Sequence, residues 1–218
     1  MQYVRVKICC IQSVEEAELA VKHGADALGL VAAMPSGPGP ISEEEIAEIA
    51  ALVPVGVTTV LLTSLTEPDE IIDQQKRTGV DAIQLCARLS RESHDTLRNA
   101  MPGIKLMQVV HVVGEASYHE ALEAAKGVHG LLLDTGAPDA KVPVLGGTGR
   151  THDWSISRRI VQECGKPVYL AGGLNAGNVV EAIEKVHPFG VDICNGVRTD
   201  FHLMEEKLLD YIAHVRRT

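Results

Sequence analysis

Apolar runs of strand length alternate along this chain with longer amphipathic stretches. Strands are predicted near Val4-Ile8, Ala27-Val31, Thr58-Leu62, Ala82-Leu85, Leu106-Val110, Gly130-Asp134, Val168-Ala171 and Val191-Cys194. Helical stretches fall between them: Glu15 to His23, Ser42 to Leu52, Asp69-Thr78, Ser93-Ala100, Tyr118-Ala125, Ser155-Glu163, Ala176-Val186 and a last one over Leu203-Val215. In the first, Ala17, Ala20 and Val21 share a face, Ser13 is the expected N-cap, and Glu16 three residues on completes a capping-box pattern. The strands are apolar throughout rather than alternating, as expected when a parallel sheet is covered on both faces.

Three phrases repeat one joint. "HGADALGL", "TGVDAIQL" and "FGVDICNG" each read as a helix stop, a glycine expected in the left-handed conformation, an aspartate and an apolar strand. Eight strand–helix units in 218 residues favour a closed α/β array, the (β/α)8 TIM barrel, as one domain over residues 1–218. The alternative is a doubly wound open sheet, which would carry a GxGxxG after its first strand, and none is present. The longest stretch without a predicted element, Thr135 to Asp153, would lie on the catalytic face, directly after the sixth strand.

Composition narrows the function. The formal net charge is -9, and lysines and arginines form no basic stripe, so nucleic acid is not an expected partner. No run of 18 apolar residues is present, so no membrane partner is expected either. The N-terminal Met-Gln-Tyr-Val-Arg-Val-Lys lacks the layout of a signal peptide. The five cysteines, at 9, 10, 86, 164 and 194, are odd in number and form no CxxC, and the nine histidines form no HxH or HxxxH pair. We therefore expect free thiols in the cytoplasm and no metal.

In a barrel, chemistry gathers where strands end. The first strand closes with Lys7-Ile8-Cys9-Cys10. Either cysteine fits a buried packing role, or one is a general base or nucleophile whose pKa Lys7 or a nearby helix N-terminus lowers. The sixth closes with Asp134, readable as a turn residue or as a general acid held protonated near neutral pH. Glycines cluster at Gly146-Gly147-Thr148-Gly149, at Gly172-Gly173 after the seventh strand, and at Asn195-Gly196 after the eighth. Loops at the last two exits commonly cradle phosphate with backbone N–H groups. Gln84, Cys86, Gln108 and His111 sit in or after strands four and five. Each could line the pocket, though a hydrogen-bonded core role fits the glutamines better. Asp153 is an expected N-cap, with Trp154 anchoring the loop.

These residues carry a resemblance. "VKICCI", "GADALGLV", "LLLDT", "GGTGRTHDW", "LAGGLNAGNV" and "FGVDICNGV" run in the order found in the phosphoribosylanthranilate isomerase family and span residues 4 to about 198. The resemblance implies Cys9 as general base and Asp134 as general acid. It puts Gly172, Gly173 and Gly196 at the phosphate, with Asn195, Gly146, Gly147, Lys7 and Gln84 as further candidate substrate contacts. The implied reaction is an Amadori rearrangement of an aminoaldose phosphate to an aminoketose, with no cofactor, in a monomer or homodimer, as a step of tryptophan biosynthesis. The sequence departs from the family where an arginine is expected to meet the substrate carboxylate: Met34-Pro35-Ser36-Gly37-Pro38-Gly39-Pro40 contains none, and Arg88, Arg150 and Arg198 are the candidate replacements. Two further readings follow from that departure, an isomerase for another phosphorylated (amino)sugar and a non-catalytic sensor of a phosphate ligand.

Overall fold

The computed structural model describes residues 3–136 and 151–218. Among them, eight parallel strands close into a barrel: β1 (Arg5–Ile8), β2 (Ala27–Val31), β3 (Thr58–Thr63), β4 (Ala82–Leu85), β5 (Lys105–His111), β6 (Gly130–Asp134), β7 (Val168–Leu170) and β8 (Gly190–Ile193). The seam is the β1–β8 pairing, with Arg5 opposite Gly190 and Ile8 opposite Ile193. A sheet closed on itself excludes the open, doubly wound alternative.

Helices follow each strand: α1 (Val14–Lys22), α2 (Glu43–Leu52), α3 (Pro68–Thr78), α4 (Arg91–Ala100), α5 (Glu115–Ala125), α6 (Trp154–Glu163), α7 (Val179–Val186) and α8 (Glu205–Val215). Most predicted elements hold to within a residue or two at each end. The larger shifts are at helix starts: α5 begins three residues earlier than expected, and α7 begins three later, because Asn175 and Asn178 organise a turn there. Ser42 and Glu45 cap α2 reciprocally, and Asp153 caps α6 by accepting from the Ser155 amide at 2.9 Å. On α1 the expected box is only half made. Ser13 Oγ accepts from the Glu16 amide, but the Glu16 carboxylate turns to Gln12 N and to Arg198. A buried guanidinium is a stronger partner than the N-cap amide.

Two of the repeated joints take the expected form, with left-handed Gly24 (φ 94°) and Gly79 (φ 67°). The third does not. His187 takes the left-handed position (φ 54°) at the end of α7, and Gly190 is already strand. Glycine is required at 190 for another reason: a Cβ there would fall 2.5 Å from the Tyr169 ring.

The period-2 alternation of a strand sorts the core into two layers. Val6, Ile8, Leu28, Leu30, Leu61, Ile83, Leu131 and Leu133 face the helices. Ala27, Val31, Val60, Leu62, Val109, Leu132 and Tyr169 fill the barrel interior together with Cys9, Cys10 and Cys86. Burying Ile46 and Ile49 of α2 against the outer layer contributes about 2–3 kcal/mol each. Since Ile8 and Leu133 point outward, Cys9 and Asp134, one residue later, turn to the interior mouth. Among the described residues no helix is long and apolar enough to cross a membrane.

Candidate active site

Two adjoining cavities open on the C-terminal face of the barrel. The larger, about 230 Å³, is walled by the loops after β7 and β8, including Gly172, Gly173, Asn195 and Gly196. The smaller, about 70 Å³, is walled by Cys9, Cys10, Gln84 and Cys86 and by Met34, Ser36, Gly37 and Pro38 of the loop after β2. Asp134, Asp192 and Cys194 border both, so the two form one continuous cleft. The structure thus brings Cys9, Asp134, Gly172, Gly173, Asn195, Gly196 and Gln84 to one place. Gly146 and Gly147 lie outside the described residues.

Lys7 is the exception. It is fully buried, lines neither of these cavities, and donates to Asp192 Oδ1 at 2.7 Å across the β1–β8 seam. Burial alone would lower the pKa of its ammonium, but the Asp192 carboxylate outweighs that and holds it raised and charged. Its charge belongs beneath the site, not on a ligand in the cleft. Asp192 escaped the sequence reading. The signal was available: a carboxylate inside the apolar run "GVDI" needs a partner, and so does the lysine inside "VKI".

Among the ionisable groups that border the cleft, Cys9 and Asp134 are shifted in opposite directions. The Cys9 thiol is held below its ordinary value, first by a hydrogen bond from the Cys10 thiol, against the cost of burial, and further by the Lys7 charge. Burial pushes the Asp134 carboxyl up to about 7, with the Asp192 charge adding to the rise. The Thr135 amide, at 2.6 Å from Asp134 Oδ1, partly offsets it. Near neutral pH the cleft therefore offers a thiol biased towards thiolate and a carboxyl group able to donate a proton, the complement an isomerase needs.

His152, also absent from the sequence reading, fixes the start of this arrangement. Its Nδ1 meets Thr135 Oγ1 at 3.0 Å and its Nε2 meets Ser157 Oγ at 2.7 Å, tying the exit of β6 to α6. Burial lowers its pKa to about 4, so it stays neutral and positions rather than transfers protons.

At the other wall, Gly172 and Gly173 both adopt positive φ (84° and 65°). A Cβ on Gly172 would meet Thr135 Oγ1 at 2.4 Å, and one on Gly196 would meet the Leu174 carbonyl at 2.4 Å. Asn178 Nδ2 donates to Gly173 O at 3.0 Å and Asn175 Oδ1 accepts from Gly177 N at 2.9 Å, which hold the turn in shape. Backbone brought this close to a cavity suits an anionic oxygen cluster.

Gln84 is buried in the smaller cavity, and its Oε1 has no hydrogen-bond partner among the described residues. Gln108 is the satisfied core residue expected, bonded to His94, Leu85 O and Ala87 O. His111, the last residue of β5, is buried and pairs in register with Asp134.

None of the candidate replacement cations faces the cleft among the described residues. Arg198 is buried and committed to Glu16 and to the carbonyls of Cys9, Cys10 and Phe201. Arg88 is exposed beside Glu120, in a separate groove. Arg150 lies outside the described residues. No lysine or arginine among the described residues lines either cavity, and no group of three or more His, Cys, Asp or Glu side chains among them is disposed to hold a metal ion.

Comparison with known proteins bears on this geometry. A family model described as N-(5'-phosphoribosyl)anthranilate (PRA) isomerase matches residues 6–210. N-(5'-phosphoribosyl)anthranilate isomerase 2 of Methanosarcina mazei is 36% identical, over 98% of this chain and 94% of that one. The crystal structure of phosphoribosyl anthranilate isomerase from Thermotoga maritima superposes with a TM-score of 0.85 at 31% identity, over 99% of this chain and 100% of that one. A phosphoribosyl anthranilate isomerase in complex with reduced 1-(o-carboxyphenylamino)-1-deoxyribulose 5-phosphate gives 0.83 at 29% identity, with the same coverage.

Proposed function

The chain belongs to the phosphoribosylanthranilate isomerase family, and on that premise we propose that Cys9 is the general base and Asp134 the general acid of its reaction. It is an aldose–ketose isomerase of tryptophan biosynthesis, acting on N-(5'-phosphoribosyl)anthranilate. The observation that carries the assignment of roles is the opposed shift of two groups bordering one cleft, Cys9 down and Asp134 up to about 7.

The protonated Asp134 gives its proton to the furanose ring oxygen. The C1–O bond breaks and the nitrogen lone pair forms the C1=N bond of a cationic Schiff base. The Cys9 thiolate then takes the proton from C2, and the electrons of that C–H bond become the C1=C2 double bond of an enolamine. Protonation at C1 with loss of the C2 hydroxyl proton yields the ketone. The Schiff base itself is the electron sink, so the proposed steps use no metal or organic cofactor. Lys7 supports the base as a fixed charge under the floor, and Asp192 keeps that lysine charged and in place.

The phosphate would sit against the backbone of Gly172, Gly173, Asn195 and Gly196, which wall the larger cavity. The anthranilate ring would extend over the smaller cavity, with Gln84 facing its amine-bearing edge. A proton NMR time course tests the reading. Conversion of the C1 position to a methylene with loss of the C2 proton is expected. Release of free anthranilate and ribose phosphate instead would overturn it.

A further inference from the structure

Three thiols converge where β1 and β8 leave the barrel. The ladder between these strands ends with Ile8 opposite Ile193 and is extended by Cys9 N donating to Ile193 O at 2.8 Å. Cys194 therefore emerges beside Cys9, the next register pair, with Cys10 one residue further along. Cys10 has a left-handed backbone (φ 62°), uncommon outside glycine, and Arg198 grips its carbonyl and that of Cys9. The Cys194 thiol donates to Cys10 Sγ at 2.8 Å. Cys10 is buried, while Cys194 is half-buried and borders both cavities, so one member of the pair is open to solutes. The loop after β2 closes off retreat: a Cβ at Gly39 would fall 2.6 Å from Cys10 Cβ.

The geometry points to Cys10 and Cys194 as a dithiol that oxidises to an intrachain disulfide at the mouth of the cleft, with a hydroperoxide as oxidant. The Cys194 thiolate attacks the peroxide oxygen, breaking the O–O bond and giving a sulfenic acid and water. Cys10 sulfur then attacks the sulfenic sulfur. An S–S bond forms and the hydroxyl leaves as a second water. Two sulfurs give up two electrons, and one hydrogen peroxide becomes two waters. An external dithiol reverses the step by thiol–disulfide exchange. Closure would weaken catalysis through Cys9, because a disulfide sulfur has no proton and the Cys10 thiol is the main group favouring the Cys9 thiolate. Only that activity arm rests on Cys9 being the base. The bond itself does not.

The test is brief hydrogen peroxide treatment of the full chain, alkylation, trypsin and mass spectrometry. The peptides spanning 8–22 and 186–198 are expected as one disulfide-linked species in the wild type and in Cys9→Ser, and as separate species in Cys10→Ser. Wild-type activity is expected to fall about tenfold or more, as loss of general-base function requires, and to return with dithiothreitol. Cys194→Ala is expected to keep most of its activity under the same treatment. Unlinked peptides in the oxidised wild type would overturn the proposal, as would a link lost in Cys9→Ser but kept in Cys10→Ser. A Cys194→Ala variant inactivated reversibly at the wild-type rate would overturn the effect on catalysis. If Cys10→Ser does not fold, the Cys9→Ser link and the Cys194→Ala time course still decide.

Discussion

Lys7 and Asp192 meet ammonium to carboxylate at 2.7 Å across the seam that closes the barrel, out of contact with solvent on the lysine side. One short ion pair thus joins the first strand to the last and places a positive charge near Cys9. Removing a single partner leaves a buried charge, which costs about 3–5 kcal/mol. Asp192→Ala should show that loss in urea denaturation. The double variant Lys7→Met/Asp192→Leu should recover most of the stability but not the activity. Its Cys9 should also need a higher pH for alkylation by iodoacetamide than the wild type. Wild-type alkylation at every pH would remove Lys7 from the account.

Asp134 links stability to pH. Its ordinary pKa is 3.8, and burial raises it to about 7 in the folded chain. Below about pH 4 both folded and unfolded chains carry the proton and burial costs little. Between about pH 4 and 7 the unfolded chain ionises freely while the folded chain must keep its proton, so stability falls across that range, and above 7 the folded chain bears an ionised, mostly desolvated carboxylate and the loss is complete. Asp134→Asn should therefore be more stable than wild type by about 4 kcal/mol at pH 8, with little difference at pH 4, when unfolding is followed at both. Above that range kcat/KM of the wild type should decline as pH passes about 7, because the donor proton is lost.

Gly172 and Gly196 separate two kinds of damage. A methyl at 196 would strike the Leu174 carbonyl and the Ile193 side chain, whereas one at 172 would approach Asp134 Oδ1 at 3.1 Å as well as Thr135 Oγ1. Gly196→Ala should raise KM by about tenfold, roughly 1.4 kcal/mol of binding, with a smaller change in kcat. Gly172→Ala should lower kcat as well. Steady-state kinetics on both variants checks the split, and unchanged KM in Gly196→Ala would argue against a phosphate there.

Arg198 is a clamp in this structure, not a ligand for substrate. Arg198→Met would strand the half-buried Glu16 carboxylate and release the carbonyls of Cys9 and Cys10. Thermal unfolding should show a loss of about 3 kcal/mol or more, as expected for a broken buried pair. A variant with full stability and only a raised KM would instead make Arg198 the carboxylate partner.

Much of this was readable from the chain. The eight strand–helix units favoured the closed topology over an open sheet, and apolar runs such as Ala27–Val31 carry their burial in composition alone. Cys9 and Asp134 stood out as polar groups at strand exits, and "LAGGLN" and "CNGV" as glycines at the exits of strands seven and eight. The Lys7–Asp192 pair was not read, since its members lie 185 residues apart and pair only when β8 closes on β1. Glu16 looked like a local cap because sequence distance favours Ser13, while the fold offers it Arg198. His152 likewise gains its meaning from Thr135, 17 residues earlier in the sequence, which only the fold brings within hydrogen-bond reach.

The most direct test of the acid–base pair is a steady-state assay with freshly made N-(5'-phosphoribosyl)anthranilate, following loss of anthranilate fluorescence, in wild type, Cys9→Ser and Asp134→Asn. Turnover by the wild type with a drop of about 10²–10⁴ in kcat for each variant, both remaining folded, is the predicted result. Either variant turning over within a few-fold of wild type would contradict the assignment of base and acid.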